Sequence, residues 1–182
     1  MNKISYIIGS VLEAKPKAGK KLIIPHVCND KGGWGAGLVV AISKKWDLPE
    51  KSYRRWAKNG YRTDRNTKDF TLGHIQLVQV EDNIYIANMI AQHDTHPYVD
   101  KENIAIPPIR YDRVRQCLNK VAIMAQKQNA DIAVARIGCG LAGGTWQVIE
   151  GLIKETLITT GINTTVYTLD GDKSWHRTLK CV

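Results

Sequence analysis

Two glycine-rich runs carry the strongest chemical signal in this sequence. The first is Asn29-Asp30-Lys31-Gly32-Gly33-Trp34-Gly35-Ala36-Gly37; the second is Gly138-Cys139-Gly140-Leu141-Ala142-Gly143-Gly144-Thr145-Trp146. Each follows an apolar run of strand character and precedes a segment with helical periodicity. Glycines at such a junction leave backbone N–H groups bare beside the positive end of a helix dipole, which is how proteins hold phosphate. Two such loops point to a ligand with a diphosphate, or with phosphates at two places. Ordinary tight turns do not need four closely spaced glycines each.

The second loop matches the G-x-G-x-x-G dinucleotide fingerprint from Gly138 to Gly143. A nicotinamide-binding domain needs that turn early, with several strands after it. Here only one strand remains, and Asp170 falls later than the usual ribose-binding acid. The first loop is not a P-loop, because no Gly-Lys-Ser/Thr closes it. Both are therefore read as phosphate loops rather than parts of a hydride-transfer or nucleoside-triphosphate enzyme.

Titratable residues gather near the first loop. His26 stands just before it, and imidazole titrates near neutral pH, so it is the candidate acid or base. The competing reading is a core histidine in a buried strand. Asp30 either orients His26 or a water, or caps the loop. Cys139 could be a nucleophile at a helix N-terminus, but a small residue packed beneath a phosphate loop is the better account. His93-Asp94-Thr95-His96 places two histidines where they could share a metal ion. No third ligand group is identifiable, so the segment reads as a polar loop after a strand.

The elements that must position these residues alternate between strand and helix. Strands are expected at Lys3–Ile8, Lys21–Val27, Thr71–Val80, Asn83–Ile90, Asp131–Arg136 and Thr164–Leu169. Pro25 limits the pairing of the second, and Glu81-Asp82 joins the third and fourth as a hairpin. Helices are expected at Gly35–Trp46, from Pro49 to Gly60, at Arg110–Gln128 and at Thr145–Thr160. Leu38, Ile42 and Trp46 form one buried face. Tyr111, Val114, Leu118, Val121 and Ala125 form another, and Trp146, Ile149, Leu152, Ile153 and Leu157 a third. Ile104–Ile109 carries Pro107-Pro108 and reads as a loop into a helix. The pattern favours one α/β domain over residues 1–182, with helices on both faces of a mixed sheet.

Bulk composition sets the remaining bounds. The chain has 182 residues, 43% hydrophobic and 24% charged, which fits a globular protein with a real core. No run of 18 apolar residues exists to span a membrane, and Met1–Tyr6 does not read as a signal peptide. Cys28, Cys117, Cys139 and Cys181 have no framework spacing, so reduced thiols in a cytoplasmic protein are expected. The net charge of +9 makes an anionic partner plausible, either nucleic acid or a phosphorylated small molecule. Lys44, Lys45, Lys51, Arg54, Arg55, Lys58, Arg62 and Arg65 are interleaved with Trp46, Tyr53, Trp56 and Tyr61. That pattern fits a single-strand nucleic-acid surface. It fits better a solvated helical face with inward aromatics, because Tyr53 and Trp56 share one face.

The run Pro25-His26-Val27-Cys28-Asn29-Asp30, followed by Gly33-Trp34-Gly35-Ala36-Gly37, resembles the first ligand loop of macrodomains. Arg136-Ile137-Gly138 through Trp146 resembles their second, diphosphate-holding loop. Asn88–Gln92 and Pro108–Tyr111 resemble segments between the loops. The resemblance is to the branch with the yeast-type ADP-ribose 1''-phosphate phosphatase and the human-type terminal ADP-ribose glycohydrolase.

It implies a three-layer α/β/α fold with a mixed central sheet, binding ADP-ribose at the strand C-termini. By resemblance, adenine lies at Ser10 and Val11, with Leu169 packing beside it near Tyr167. Ser10 stands where many macrodomains have an Asp. Gly138, Cys139, Gly140, Leu141, Ala142 and Gly143 wrap the diphosphate. Gly33, Trp34, Gly35, Ala36 and Gly37 close over the distal ribose, which Asn29 hydrogen-bonds. Apart from the resemblance, His93 and His96 could sit over the same sugar as a flap instead of holding a metal. Gln92 and Ala142 stand where the glycohydrolase has its lysine and aspartate, so that mechanism is absent by resemblance. What remains is attack by water on a 1''-phosphate or a simple ADP-ribosyl ester, served by His26, Asn29 and Asp30, with no metal and no cofactor. Two further readings are an ADP-ribosyl hydrolase acting on protein or nucleic acid through the basic region, and a non-catalytic ADP-ribose reader.

Overall fold

The structure is a computed structural model that describes residues 3–60 and 69–172. The chain opens with β1 (Ile4–Ile8), a 3-10 turn at Val11–Glu13 and β2 (Lys21–Asn29). Helices α1 (Leu38–Lys45) and α2 (Leu48–Asn59) follow. Next come β3 (Ile75–Glu81), β4 (Ile84–Gln92) and two short strands, β5 (Tyr98–Val99) and β6 (Ala105–Ile106). The rest is α3 (Tyr111–Gln128), β7 (Ala130–Ala135), α4 (Trp146–Ile153), a π turn at Lys154–Ile158 and β8 (Thr164–Thr168). Tyr61, Arg62, Arg65 and Cys181, named above for charge, stacking or redox state, lie outside the described residues.

Six strands form the main sheet in the order β1-β8-β7-β2-β4-β3. All neighbours are parallel except the β3–β4 hairpin, so the sheet is mixed. Strand side chains alternate between faces, and both faces are covered. Ile24, Ile86 and Ile90 meet Ile42, Tyr53 and Trp56 of α1 and α2. Ile23, Met89 and Val134 meet Leu118 of α3 and Ile149 of α4. The result is the three-layer α/β/α arrangement expected from the sequence.

Local chemistry explains the boundaries. Pro49 sits in the first turn of α2, and Gly60 ends that helix at φ 73°, its N–H reaching the Trp56 carbonyl at 2.9 Å. Helix α1 begins at Leu38 rather than Gly35, because Gly37 takes φ 76°, ψ −146°, which no helix admits. Strand β3 begins at Ile75 rather than Thr71, because Gly73 (φ 87°) turns the chain first. The β5–β6 pair was not expected: two-residue strands carry no periodicity to read. Tyr53 and Trp56 are 0% and 1% exposed, so these two aromatics of the basic stretch belong to the core and not to a stacking surface.

The strand that matters most is β2. It pairs with β4 along its length, Pro25 included, but with β7 only from Lys21 to Ile23. Pro25 has no N–H to give a neighbour, and beyond it β2 and β7 separate. Their C-terminal ends leave a gap on the loop side of the sheet.

Leu118 is fully buried between α3 and the sheet. Leu118→Ala is expected to lower unfolding free energy by about 2–5 kcal/mol in urea titrations, with an unchanged denaturant slope.

Candidate ligand site

A cleft of about 450 Å³ fills the gap beyond the ends of β2, β7 and β8. The two glycine loops form opposite walls. Ala36 and Gly37 lead into Leu38 and Val39 of α1 on one side; Gly138, Gly140, Leu141 and Ala142 stand on the other. A Cβ built on Gly37 would sit 3.9 Å from Leu141, so the walls almost touch. Ser10 and Val11 line the end nearest β1, with Tyr167 and Leu169 beside them. Leu141 and Leu169 are exposed apolar side chains at this rim.

Backbone amides supply the polarity. No side chain caps the N-terminus of α1, whose N-cap is Gly37. Among the described residues, nothing accepts from the N–H of Leu141 or Ala142. Groups of this kind bind anions without needing a cationic side chain. The second loop is shaped by contacts that tolerate no side chain. Gly144 donates to the Gly138 carbonyl at 2.7 Å, and a Cβ on Gly144 would lie 2.6 Å from that oxygen. A Cβ on Gly143 would lie 2.8 Å from Pro107. Cys139 is fully buried and its thiol points to the Ile137 carbonyl at 3.4 Å, so it packs beneath the loop and presents no nucleophile. Of the second-loop residues assigned to the ligand, Cys139 and Gly143 lie behind the wall.

The first loop is built differently, from side chains turned inward. Asn29 gives its amide to the Gly33 carbonyl at 2.7 Å. Its Oδ1 accepts from the N–H groups of Lys31 and Gly33 at 2.9 and 3.0 Å. The Tyr53 hydroxyl donates to the Asn29 carbonyl at 2.5 Å. The polar atoms of Asn29 therefore fold the loop rather than face the cleft. Trp34 is buried, its indole N–H donating to Ser43 at 2.7 Å and Ser43 in turn to Glu50 at 2.6 Å. Arg54 braces the same turn, donating to the carbonyls of Trp34 at 3.1 Å and Gly32 at 3.4 Å. Gly33 and Trp34 thus back the wall that Ala36 and Gly37 present, and Gly35 is exposed outside the cleft lining. Arg54, one of the cations of the basic stretch, is a loop brace.

His26 lines the cleft floor but is only 2% exposed. Its Nε2 lies 2.6 Å from Asn88 Oδ1. The Asn88 amide N–H groups go to the carbonyl oxygens of Pro49 and Gln76, so Oδ1 faces the ring and Nε2 carries the proton. Burial pushes the imidazole down to about 4, with Asn88 opposing in part. The ring meets Trp34 edge-on at 5.3 Å. Of the two sequence readings, these contacts fit the core histidine that supports the first loop.

Asp30 does not meet His26. Its carboxylate reaches His93 Nδ1 at 2.7 Å and accepts the Asp94 N–H at 3.0 Å. Burial alone would raise its pKa, but the Asp94 N–H and the His93 ring outweigh it, and the net shift is downward. Asp94 sits at φ 61°, and the Thr95 methyl lies 3.1 Å from where a Gly33 Cβ would be. The His93–Thr95 turn is thereby strapped against the first loop. His93 bonds to Asp30 and His96 to Thr95, so the two rings do not converge on a shared ion. Gln92 lines the cleft and donates to the Asp94 carbonyl. Arg136, quoted only as part of a motif, is a lining residue that sequence reasoning passed over. Its signal was its place, at the end of a strand and just ahead of the phosphate loop.

No family model matches the sequence. A solved protein of unknown function from Bacteroides thetaiotaomicron is 47% identical, with TM-score 0.81 over 92% of this chain and 99% of that one. A macrodomain protein from Streptomyces coelicolor is 41% identical, with TM-score 0.73 over 91% and 98%. Among curated proteins, the mouse chromodomain-helicase-DNA-binding protein 1-like is 29% identical over 95% of this chain, which spans 18% of that protein's length. The ADP-ribose 1''-phosphate phosphatase of Candida albicans is 28% identical over 84% of this chain and 92% of its own. The human ADP-ribose glycohydrolase OARD1 is 25% identical over 92% and 93%.

Two outcomes follow from the loop supports. The His26 ring is expected to stay neutral, protonated on Nε2, from neutral pH down to about 4 in 15N-resolved NMR titrations. A midpoint near 6.5 would mean a solvated base instead. Because the unfolded state takes that proton first, unfolding free energy should fall as pH drops from about 6.5 towards the folded value. Tyr53→Phe removes the donor to Asn29 and is expected to cost about 1–3 kcal/mol by chemical denaturation.

Proposed function

Because the chain belongs to the macrodomain family, we propose that its cleft binds ADP-ribose and that it hydrolyses ADP-ribose 1''-phosphate to ADP-ribose and phosphate. One observation carries this reading: two glycine loops, with amides at Leu141 and Ala142 that find no acceptor among the described residues, form opposite walls of a single cleft. A ligand with a diphosphate at its middle fits that arrangement. Adenine lies at the Ser10, Val11 and Leu169 end, and the diphosphate against Gly138–Ala142. The distal ribose reaches the first loop beside Gln92 and the Asp30–His93 strap. Relatives named for hydrolysis at an ADP-ribose terminus support a hydrolase.

In the reaction, water attacks phosphorus, the bond from phosphorus to the anomeric oxygen breaks, and that oxygen takes up a proton. Binding energy from adenine and diphosphate holds the ester where water can reach it. Asp30 and His93 form the candidate pair for moving the proton, with Asp30 orienting the ring through Nδ1. Gln92 and Ala142, in place of an amine and a carboxylate, favour the phosphate ester over a lysine-dependent glycohydrolase route. The second reading is removal of ADP-ribose from a macromolecule, favoured by the likeness to OARD1.

Purified protein is expected to release phosphate from ADP-ribose 1''-phosphate over multiple turnovers. Asp30→Asn should slow release by about tenfold or more, the lower end of what positioned proton transfer contributes, while ADP-ribose affinity in calorimetry stays nearly constant. No release with ADP-ribose binding intact would favour ADP-ribosylated macromolecules, or a binding function alone.

A further inference from the structure

Among the described residues that line the cleft, Arg136 is the one lysine or arginine. Three contacts fix its guanidinium. Its Nε donates to the Thr168 hydroxyl at 2.9 Å. Its carbon lies 4.3 Å from the centre of the Trp146 ring and 5.4 Å from that of Tyr6. Trp146 opens α4 directly behind the second glycine loop, so the stack ties the cation to the element that ends the phosphate wall. Tyr6 is itself hydrogen-bonded to Glu150 of the same helix. A guanidinium held by rings and a hydroxyl keeps a set direction, and an aromatic face tolerates its charge.

Burial disfavours the charged form of Arg136, opposed by Tyr6, Glu150 and Asp172 nearby. A guanidinium stays charged in proteins nonetheless. Arg136 therefore brings a fixed positive charge to the lining of the cleft, two residues ahead of the glycine loop that lines the same space. We infer that Arg136 is a ligand-binding residue that pairs with the diphosphate of the bound nucleotide and selects diphosphate-bearing ligands over the bare nucleoside. The inference rests on the ADP-ribose reading above.

Calorimetry of the wild type, Arg136→Met and Arg136→Lys with ADP-ribose and with adenosine tests it. Methionine keeps much of the apolar stem and removes the charge; thermal melts check that each variant is folded. Arg136→Met should weaken ADP-ribose binding by about ten- to a hundredfold, the range for hydrogen bonds to charged groups. Adenosine affinity should stay within about twofold, because neither the apolar stem nor the base contacts change. The variant should also lose part of the salt dependence of ADP-ribose binding, and Arg136→Lys should retain it. An equal loss for both ligands would overturn the inference and make Arg136 a stacking floor for the base. Unchanged ADP-ribose binding in a folded Arg136→Met would overturn it as well. Wild-type protein that binds no ADP-ribose would remove the underlying reading and this inference with it.

Discussion

The separation of β2 from β7 is the constraint on which the site depends. A parallel sheet covered on both faces has little open space, and cavities form where adjacent strands part. Here the pairing ends at Ile23, two residues before Pro25, and the strands feed loops that go opposite ways. The loop after β2 turns towards α1, and the loop after β7 turns towards α4. The first turn of α1 and the loop ahead of α4 then line the space between. The ligand site needs no separate scaffold, because it is the consequence of one interrupted ladder.

The two walls are made rigid by different physics. The second loop is set by exclusion and by backbone shape: a methyl group on Gly144 would meet the Gly138 carbonyl, one on Gly143 would meet Pro107, and Gly138 and Gly143 hold φ of 72° and 74°. The first loop is set by hydrogen bonds from the core. Tyr53 holds Asn29, Asn29 holds Gly33, Ser43 holds Trp34, and Arg54 holds two carbonyls. A wall built this way resists substitution at Gly138, Gly143 and Gly144. A wall built by side chains can be retuned from α2 without touching the cleft.

Much of this was legible in the sequence, for a reason that also explains what was not. Period and punctuation are local: Leu38, Ile42 and Trp46 announce a helix face, Pro49 and Gly60 bracket α2, and the glycine clusters mark phosphate loops. The class of fold followed from those signals. Pairings between distant residues leave no local trace. Asn88 takes up the His26 ring from the neighbouring strand, so the histidine nearest the loop turned out to be a support. Asp30 found His93 at the end of β4 rather than His26. Asn29 carries the residue type of a ribose ligand, yet its geometry is that of a turn.

His26, Asn29 and Trp34 therefore share one role. They link the core under α2 to the face that α1 shows the ligand, each through a contact the loop would lose if it moved. Anions bind tightly to backbone amides only when those amides are fixed before the anion arrives, since ordering a loose loop would consume much of the interaction. A histidine kept neutral by burial suits this task, because its hydrogen bond to Asn88 does not change through the physiological pH range. Asp30 and His93 lie outside that rigid chain, on the more exposed side of the loop. The first loop is thus fixed from the core on its inner side and by the Asp30–His93 strap on its outer side.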